Sequence, residues 1–304
     1  MMMQGIFGSA MAAPYELYFF GVWTIASLIR PFLLVTFVCV LSNPTAAQRK
    51  FELFLSTLKY LIFCSDKKWK TPKEDPASFF PPDARTESKT IIFVRHGEST
   101  WNDTFNKGDR SILSFILNFV PNLLYAIFME WIFWVRGKAT ESWFYDAPLS
   151  EKGKRQACDV QNFLKQDTKY LTPKEVNLVN ILRGGDDNGQ CSSLMLCSNL
   201  RRAIATLAIG FQQRFGKKFP KDNMVILPCL QEISRNPDAL SITGAFSQVV
   251  PAWTDPHFLE SIYASQIDTS KHTGNKPVNS NGLKRLQEFC DLVFHFEKSN
   301  IIVG

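Results

Sequence analysis

Long apolar runs dominate the first part of this chain and short β-branched runs the rest. Residues 17–41 are almost continuously apolar, broken at Arg30-Pro31, and at about 1.5 Å per residue they outreach the roughly 30 Å hydrocarbon core of a bilayer. Residues 51–64 space their apolar positions helically, with Lys50 and Lys59 near the polar side. This predicts an amphipathic helix, whose alternative is packing on the domain that follows. Residues 66–89 are rich in Lys and Pro and predict a linker. Thr90-Ile91-Ile92-Phe93-Val94, Leu194-Met195-Leu196-Cys197-Ser198, Met224-Val225-Ile226-Leu227 and Ile301-Ile302-Val303-Gly304 each read as a strand. Residues 282–298 place Leu283, Leu286, Phe289, Leu292, Val293 and Phe296 at helical spacing, which makes His295 a helix-side residue. The expected organisation is a hydrophobic, membrane-anchoring region over 1–65, the linker over 66–89, and one α/β domain over 90–304 with an apolar insertion at 105–145. Its sheet is expected to be mostly parallel, preceded by the N-terminal hydrophobic helical segment.

Two of the predicted strands deliver polar clusters to their C-terminal ends, where an open parallel sheet forms its ligand crevice. The first is Arg95-His96-Gly97-Glu98-Ser99-Thr100-Trp101-Asn102. Arg95 offers a planar donor fork for phosphate, His96 a nitrogen nucleophile, and Gly97 a backbone an anion can approach closely. The second is Asn199-Leu200-Arg201-Arg202-Ala203-Ile204-Ala205-Thr206, where Ser198 or Asn199 is expected to cap a helix that carries Arg202 on its first turn. Taken alone, Arg95 and His96 could be no more than a surface pair, Glu232 an exposed loop carboxylate and Asn102 a turn or helix cap. Asn102-Asp103-Thr104 is also a formal glycosylation sequon, read here as chance.

Together these clusters resemble the histidine phosphatase (phosphoglycerate mutase-like) superfamily. The resemblance extends to Asp146-Ala147-Pro148-Leu149-Ser150-Glu151-Lys152-Gly153, with Ser150 as a helix N-cap, and to Leu230-Gln231-Glu232-Ile233. The final strand resembles the one that, in the family, ends in a second histidine. The sequence stops at Gly304, one position short, so we expect a C-terminally truncated form that is catalytically impaired as it stands. Neither His257, His272 nor His295 is an evident substitute. The resemblance implies a three-layer sandwich and a phosphohistidine mechanism without cofactor or metal. His96 would be the nucleophile and Glu232 the acid, while Arg95, Asn102 and Arg202 would hold the phosphate. Ser99 and Trp101 stand where the acid phosphatase branch has Arg and Pro, which favours the mutase-like branch. The stretch after His96 lacks a mutase-like continuation, so a phosphomonoester hydrolase is favoured over a phosphotransferase. The competing class is a catalytically dead membrane protein that binds phosphorylated ligands. Substrates would be small phosphorylated molecules or phosphoproteins.

Residues 111–135 are strongly apolar, with Trp131 and Trp134 near one end and charge limited to Glu130. Because His96 before the run and Arg202 after it must meet on one sheet, a single membrane crossing is excluded. Pro121 splits the run, which predicts a helical hairpin lying in the interface, re-entering, or covering the domain; packing on the protein's own core is the alternative. No Lys or Arg precedes Arg30, whereas Arg49, Lys50, Lys59, Lys67, Lys68 and Lys70 follow the first apolar run, so the catalytic domain is expected on the cytoplasmic side of a membrane. A signal peptide with its apolar core at 32–41 and cleavage near Thr45-Ala46-Ala47 is the rival. Seven scattered cysteines without Cys-x-x-Cys spacing indicate neither zinc nor a disulfide framework. The net charge of +6 suits an anionic membrane lipid or a phosphorylated substrate, and no nucleic-acid motif is present.

Overall fold

The computed structural model describes residues 27, 29–68, 88–185, 192–215 and 223–304. Five strands, β1 (Thr90–Phe93), β2 (Ser193–Cys197), β3 (Met224–Ile226), β4 (Ile267–Asp268) and β5 (Asn300–Val303), form one all-parallel sheet in the order β1-β5-β2-β3-β4. The chain is thus α/β. Alternate residues of the strands feed two separate cores, as the pleat requires. Met195, Cys197, Met224, Ile226 and Ile302 pack with α5 (Glu151–Lys165) and α7 (Arg201–Gly210). Leu196, Val225, Ile301 and Val303 pack with Phe289 and Val293 of α9 (Gly282–His295). Every residue of α7 is buried. The remaining helices include α3 (Thr100–Phe105), α6 (Pro173–Arg183) and α8 (Leu259–Ser265).

Placement of β5 between β1 and β2 matters most for function. Val94 N donates to Val303 O, Gly304 N to Leu196 O and Ser198 N to Gly304 O. Three strand ends therefore converge on one short stretch of sheet edge, where the segments carrying His96 and Arg202 emerge.

The N-terminal region is a bent pair, α1 (Ile29–Ser42) and α2 (Pro44–Phe63), turned by 119°. Asn43 causes the turn locally, because its side chain accepts from Ala46 N as an N-cap while Pro44 occupies the first helical position. The amphipathic helix expected over 51–64 thus begins earlier, at Pro44. Part of the anchor expected over 17–41, residues 17–26 and 28, lies outside the described residues.

Two expectations need correction. The apolar insertion is one continuous helix, α4 (Ile112–Val135), rather than a hairpin. Pro121 sits on its exposed side, where the lost backbone bond and ring clash cost about 3 kcal/mol. Ring contacts on both sides of it, Phe105 with Phe119 at 6.2 Å and Tyr125 with Trp143 at 5.3 Å, hold both halves to the same underlying surface. By length and composition alone α4 is long and apolar enough to cross a membrane.

Asp66, expected to open the linker, is instead fully buried. Its carboxylate accepts from Lys276 Nζ at 2.7 Å and from Arg285 Nη2 at 2.7 Å, so the chain just after α2 is bound into the domain. Its two cationic partners are themselves buried, and a charge placed so deep requires such pairing. The rest of the expected linker, residues 69–87, lies outside the described residues, as do residues 186–189 of Arg183-Gly184-Gly185-Asp186-Asp187-Asn188-Gly189, a string that the sequence reads as a surface loop.

Candidate active site

Beyond β1, backbone contacts too close for any side chain set the path of the histidine segment. A Cβ on Gly97 would lie 2.5 Å from Gly153 O, and one on Gly153 would lie 2.0 Å from Glu98 O. Both glycines are therefore required by the approach of the His96 turn to the first turn of α5. Ser150 caps that turn by accepting from Gly153 N at 3.1 Å, as its motif predicts. Ser150 N donates to Glu98 O, Thr100 N donates to Pro148 O, and Ser99 pairs with Leu149, so the two motif segments zip together. On the opposite side, Gly97 N donates to Thr206 Oγ1, which in turn donates to Arg202 O. The threonine of the second cluster thus pins the glycine of the first.

The cap of α7 differs from expectation. Leu200 occupies the N-cap position and offers no side-chain bond, while Asn199 points its amide to Gly274 O. Asp146, wholly buried and at φ +48°, supplies the cap from a distant loop, accepting from Arg201 N through Oδ1 at 2.9 Å and from Ile242 N through Oδ2 at 2.8 Å. Arg201 closes the arrangement by donating to Glu141 Oε2 at 3.0 Å. The guanidinium beside it is thereby fixed in place.

His96 Nδ1 lies 2.7 Å from Gly97 O, an atom that only accepts, so we assign the proton to Nδ1. Nε2 then carries the lone pair, and it accepts from Arg202 Nε at 3.2 Å. Burial, followed by the Arg202 charge, lowers the His96 pKa below the ordinary histidine value and favours the neutral ring. Arg202, only 1 % exposed, also donates to Asp238 O and to Glu232 Oε2. His96, Arg202 and Glu232 thus form one connected chain. Glu232 keeps 46 % of its side chain exposed, so its free oxygen is reachable from solvent.

Arg95, His96 and Asn102 line a cleft of about 550 Å³, together with Glu98, Lys152 and Gln156. Arg95 is exposed and makes no hydrogen bond or ion pair among the described residues, leaving its donor fork for an anion. Asn102 sits on α3, with its Oδ1 accepting from Asn106. Lys152 bridges Glu98 at 3.5 Å and Asp109 at 2.5 Å across the cleft wall. Arg202 and Glu232 are not among these wall residues; they reach the cleft through His96 Nε2.

One site residue had no signal in the sequence. Asp238 is buried, its Oδ2 lies 3.8 Å from Arg202 Nη2, and burial pushes its pKa up to about 6. It stands in Asn236-Pro237-Asp238, a turn-like string at no recognisable catalytic spacing. The other histidines lie apart. His257 is exposed beside Glu260, His295 ends α9, and His272 is buried with Nδ1 accepting from Gly274 N. Among the described residues no group of three or more His, Cys, Asp or Glu could hold a metal ion. No protein-family model matches this chain, and no curated protein matches it.

Proposed function

We propose that the chain is a phosphomonoester hydrolase of the histidine phosphatase type, working through a phosphohistidine on His96 at a membrane surface. The observation that carries this reading is the pairing of a neutral His96 Nε2 lone pair with the buried Arg202 guanidinium at 3.2 Å. A phosphoryl transfer needs a nucleophile in line with phosphorus and positive charge around the equatorial oxygens, and little else. Nε2 forms the bond to phosphorus as the ester P–O bond breaks. Arg202 and Arg95 take the equatorial oxygens, and Asn102 contributes from α3. Glu232, already directed by Arg202, gives a proton to the leaving oxygen, then takes one from the water that attacks phosphohistidine and frees phosphate. Nδ1–H stays on Gly97 O throughout and stabilises the ring as it acquires charge.

This reading takes the sheet and its two cores as the three-layer, phosphoglycerate mutase-like sandwich, for which the converging ends of β1, β5 and β2 are the support. Membrane association is supported by the exposed apolar surfaces of α1 and α4, and the charge asymmetry around residues 17–41 favours a cytoplasmic catalytic domain. The test is trapping with a labelled phosphomonoester. Wild-type protein should carry acid-labile label that the His96→Ala variant lacks, and label retained by that variant would sink the mechanism.

A further inference from the structure

The cleft wall and α4 are joined by one short stretch of chain. Asn106, Gly108 and Asp109 of the cleft wall belong to the short connection that leads into α4. The helix then opens with Ile112, Leu113, Ile116 and Leu117, exposed by 67 %, 67 %, 61 % and 66 %. Apolar surface therefore begins at the mouth of a phosphate-binding cleft. It continues through Val120, Leu124 and Phe128, along a helix about 36 Å long. Its single charged residue, Glu130, is turned inward to Lys50 at 2.6 Å. Near its far end α1 joins it through Phe32 and Trp131 at 5.2 Å, and adds its own exposed Phe32, Leu33, Leu34 and Phe37.

The helix lies flat on the domain. Thr100 Oγ1 donates to Trp143 O and Trp143 Nε1 to Thr104 Oγ1, so the chain entering the insertion and the chain leaving it are tied together. Between them the inner face is held at Phe119, at Tyr125 and, through Phe133 and Trp253 at 5.4 Å, near its end. A helix fastened along its length cannot cross a bilayer while the domain stays in water, but its outer face can sit in the plane of the headgroup and acyl boundary. Arg136 and Lys138 after α4 place cations at the far end of the apolar strip, complementary to anionic headgroups, whereas before α4 Arg110 is paired with Asp103 and Lys107 stands near Asp109.

We propose that the substrate of the cleft is a lipid monophosphate in a bilayer leaflet, its phosphate held at Arg95 and His96 and its acyl chain lying along the first turns of α4. This rests on the phosphomonoesterase reading and adds the substrate class to it. A soluble sugar phosphate would leave the apolar strip beside the cleft unused, whereas an amphiphile with a terminal phosphate fits both surfaces at once.

The experiment uses the full chain and three kinds of vesicle: phosphatidylcholine alone, with phosphatidic acid, and with phosphatidylglycerol at matched charge. Sedimentation should show binding to phosphatidic acid vesicles about tenfold tighter than to phosphatidylglycerol vesicles. An Ile116→Asp, Leu117→Asp double variant, changed only at exposed positions, should lose at least about tenfold of this binding. It should keep its circular dichroism and its rate on a short soluble phosphomonoester. His96→Ala should still sediment while releasing no phosphate. Equal binding to both anionic vesicles, or undiminished binding by the double variant, overturns the lipid substrate. So does a soluble oligomer that the double variant dissolves without any vesicle binding. Preference for phosphatidic acid with no hydrolysis of any phosphomonoester and no label trapped on His96 leaves the lipid site standing and sinks the hydrolase reading instead.

Discussion

Arg202 Nε donates to His96 Nε2 at 3.2 Å, and the same guanidinium reaches Glu232 and the Asp238 carbonyl with its other nitrogens. One side chain thus orients the proposed nucleophile and the proposed acid together. Its planar fork is what allows this, since three nitrogens at fixed angles meet three partners at fixed positions. A phosphate oxygen arriving at the site would replace Nε2 as the acceptor of Nε–H and leave the lone pair directed at phosphorus.

Arg202→Lys therefore removes the geometry while keeping the charge. An ammonium is a point donor and cannot hold His96, Glu232 and Asp238 at once, so kcat/KM on a phosphomonoester is expected to fall by about 10²–10³, the usual effect of deleting one transition-state donor. Steady-state rates check this. A lysine variant within a few-fold of wild type would mean that charge alone suffices.

Protonation separates the roles of His96 and Asp238. As the proposed nucleophile, His96 must be neutral, and its lowered pKa places the acid limb of kcat/KM below the ordinary histidine value of 6.5. Asp238 moves the other way, from an ordinary 3.8 up to about 6. The folded state holds that proton where the unfolded chain has released it, so its contribution to stability is present below 3.8 and lost as pH rises through about 6. The loss amounts to roughly 3 kcal/mol. The difference in melting temperature between wild type and Asp238→Asn should accordingly fall from pH 4 to pH 6, and a flat difference would show that Asp238 titrates normally.

What was legible in the sequence was local. The runs at β2, β3 and β5 declare themselves because buried strands of a parallel sheet require consecutive apolar residues, and β1 shows the same apolar run although it stands largely exposed at the edge of the sheet. His96 and Arg202 declare themselves because both sit just past such a run. Ser150 and Gly153 were equally visible, being cap and contact within one turn. Contacts between distant parts of the chain left no such trace. Asp146 caps a helix 55 residues on, and Asp66 meets Lys276 and Arg285 across 210 and 219 residues, so neither carboxylate shows its partner in its own neighbourhood. Pro121 misled for the complementary reason. Its local signal is a break, and tertiary contacts on both sides of it carry the helix through.

Asp66 also supports the Glu232 loop from behind. Lys276 donates to the carbonyls of Glu232 and Ser234, and Arg285 to those of Cys229 and Gln231, so the two cations neutralised by Asp66 hold the backbone around Glu232. Asp66→Asn leaves two buried cations with less counter-charge and should cost about 3–5 kcal/mol in urea unfolding. Its residual activity should show a lowered kcat with little change in KM, since the loop positions Glu232, the proposed acid, and not the groups proposed to hold the phosphate. Asp66→Glu should recover part of both, and a variant as stable as wild type would contradict the network.

Gly153→Ala tests the approach of α5 to the histidine turn. The added methyl would meet Glu98 O at 2.0 Å, a backbone atom that cannot turn aside, so the turn bearing His96 must shift. Overpacking of this kind typically costs about 1–3 kcal/mol. Because alanine favours a helix over glycine, an exposed site would instead be stabilised. A rise in melting temperature would therefore refute the close contact, and a fall accompanied by lost turnover would support it.

The end of β5 offers the sharpest test of the mechanism. Gly304 lies between the strands that lead to His96 and Arg202, bonded to Leu196 O and Ser198 N, and a Cβ there would strike Leu207 of α7 at 2.6 Å. Glycine lets β5 pass α7 at that point. A residue joined directly after it leaves the sheet at the edge where the phosphate would sit. If the family resemblance holds, a histidine appended there supplies the second imidazole around the equatorial oxygens. We expect phosphate release from a soluble phosphomonoester to rise by at least about tenfold over the 304-residue chain, with no gain in a His96→Ala background. An appended alanine controls for length. Equal rates for the histidine and alanine extensions would exclude a second histidine from this position and leave Arg95 and Arg202 as the principal groups around the phosphate.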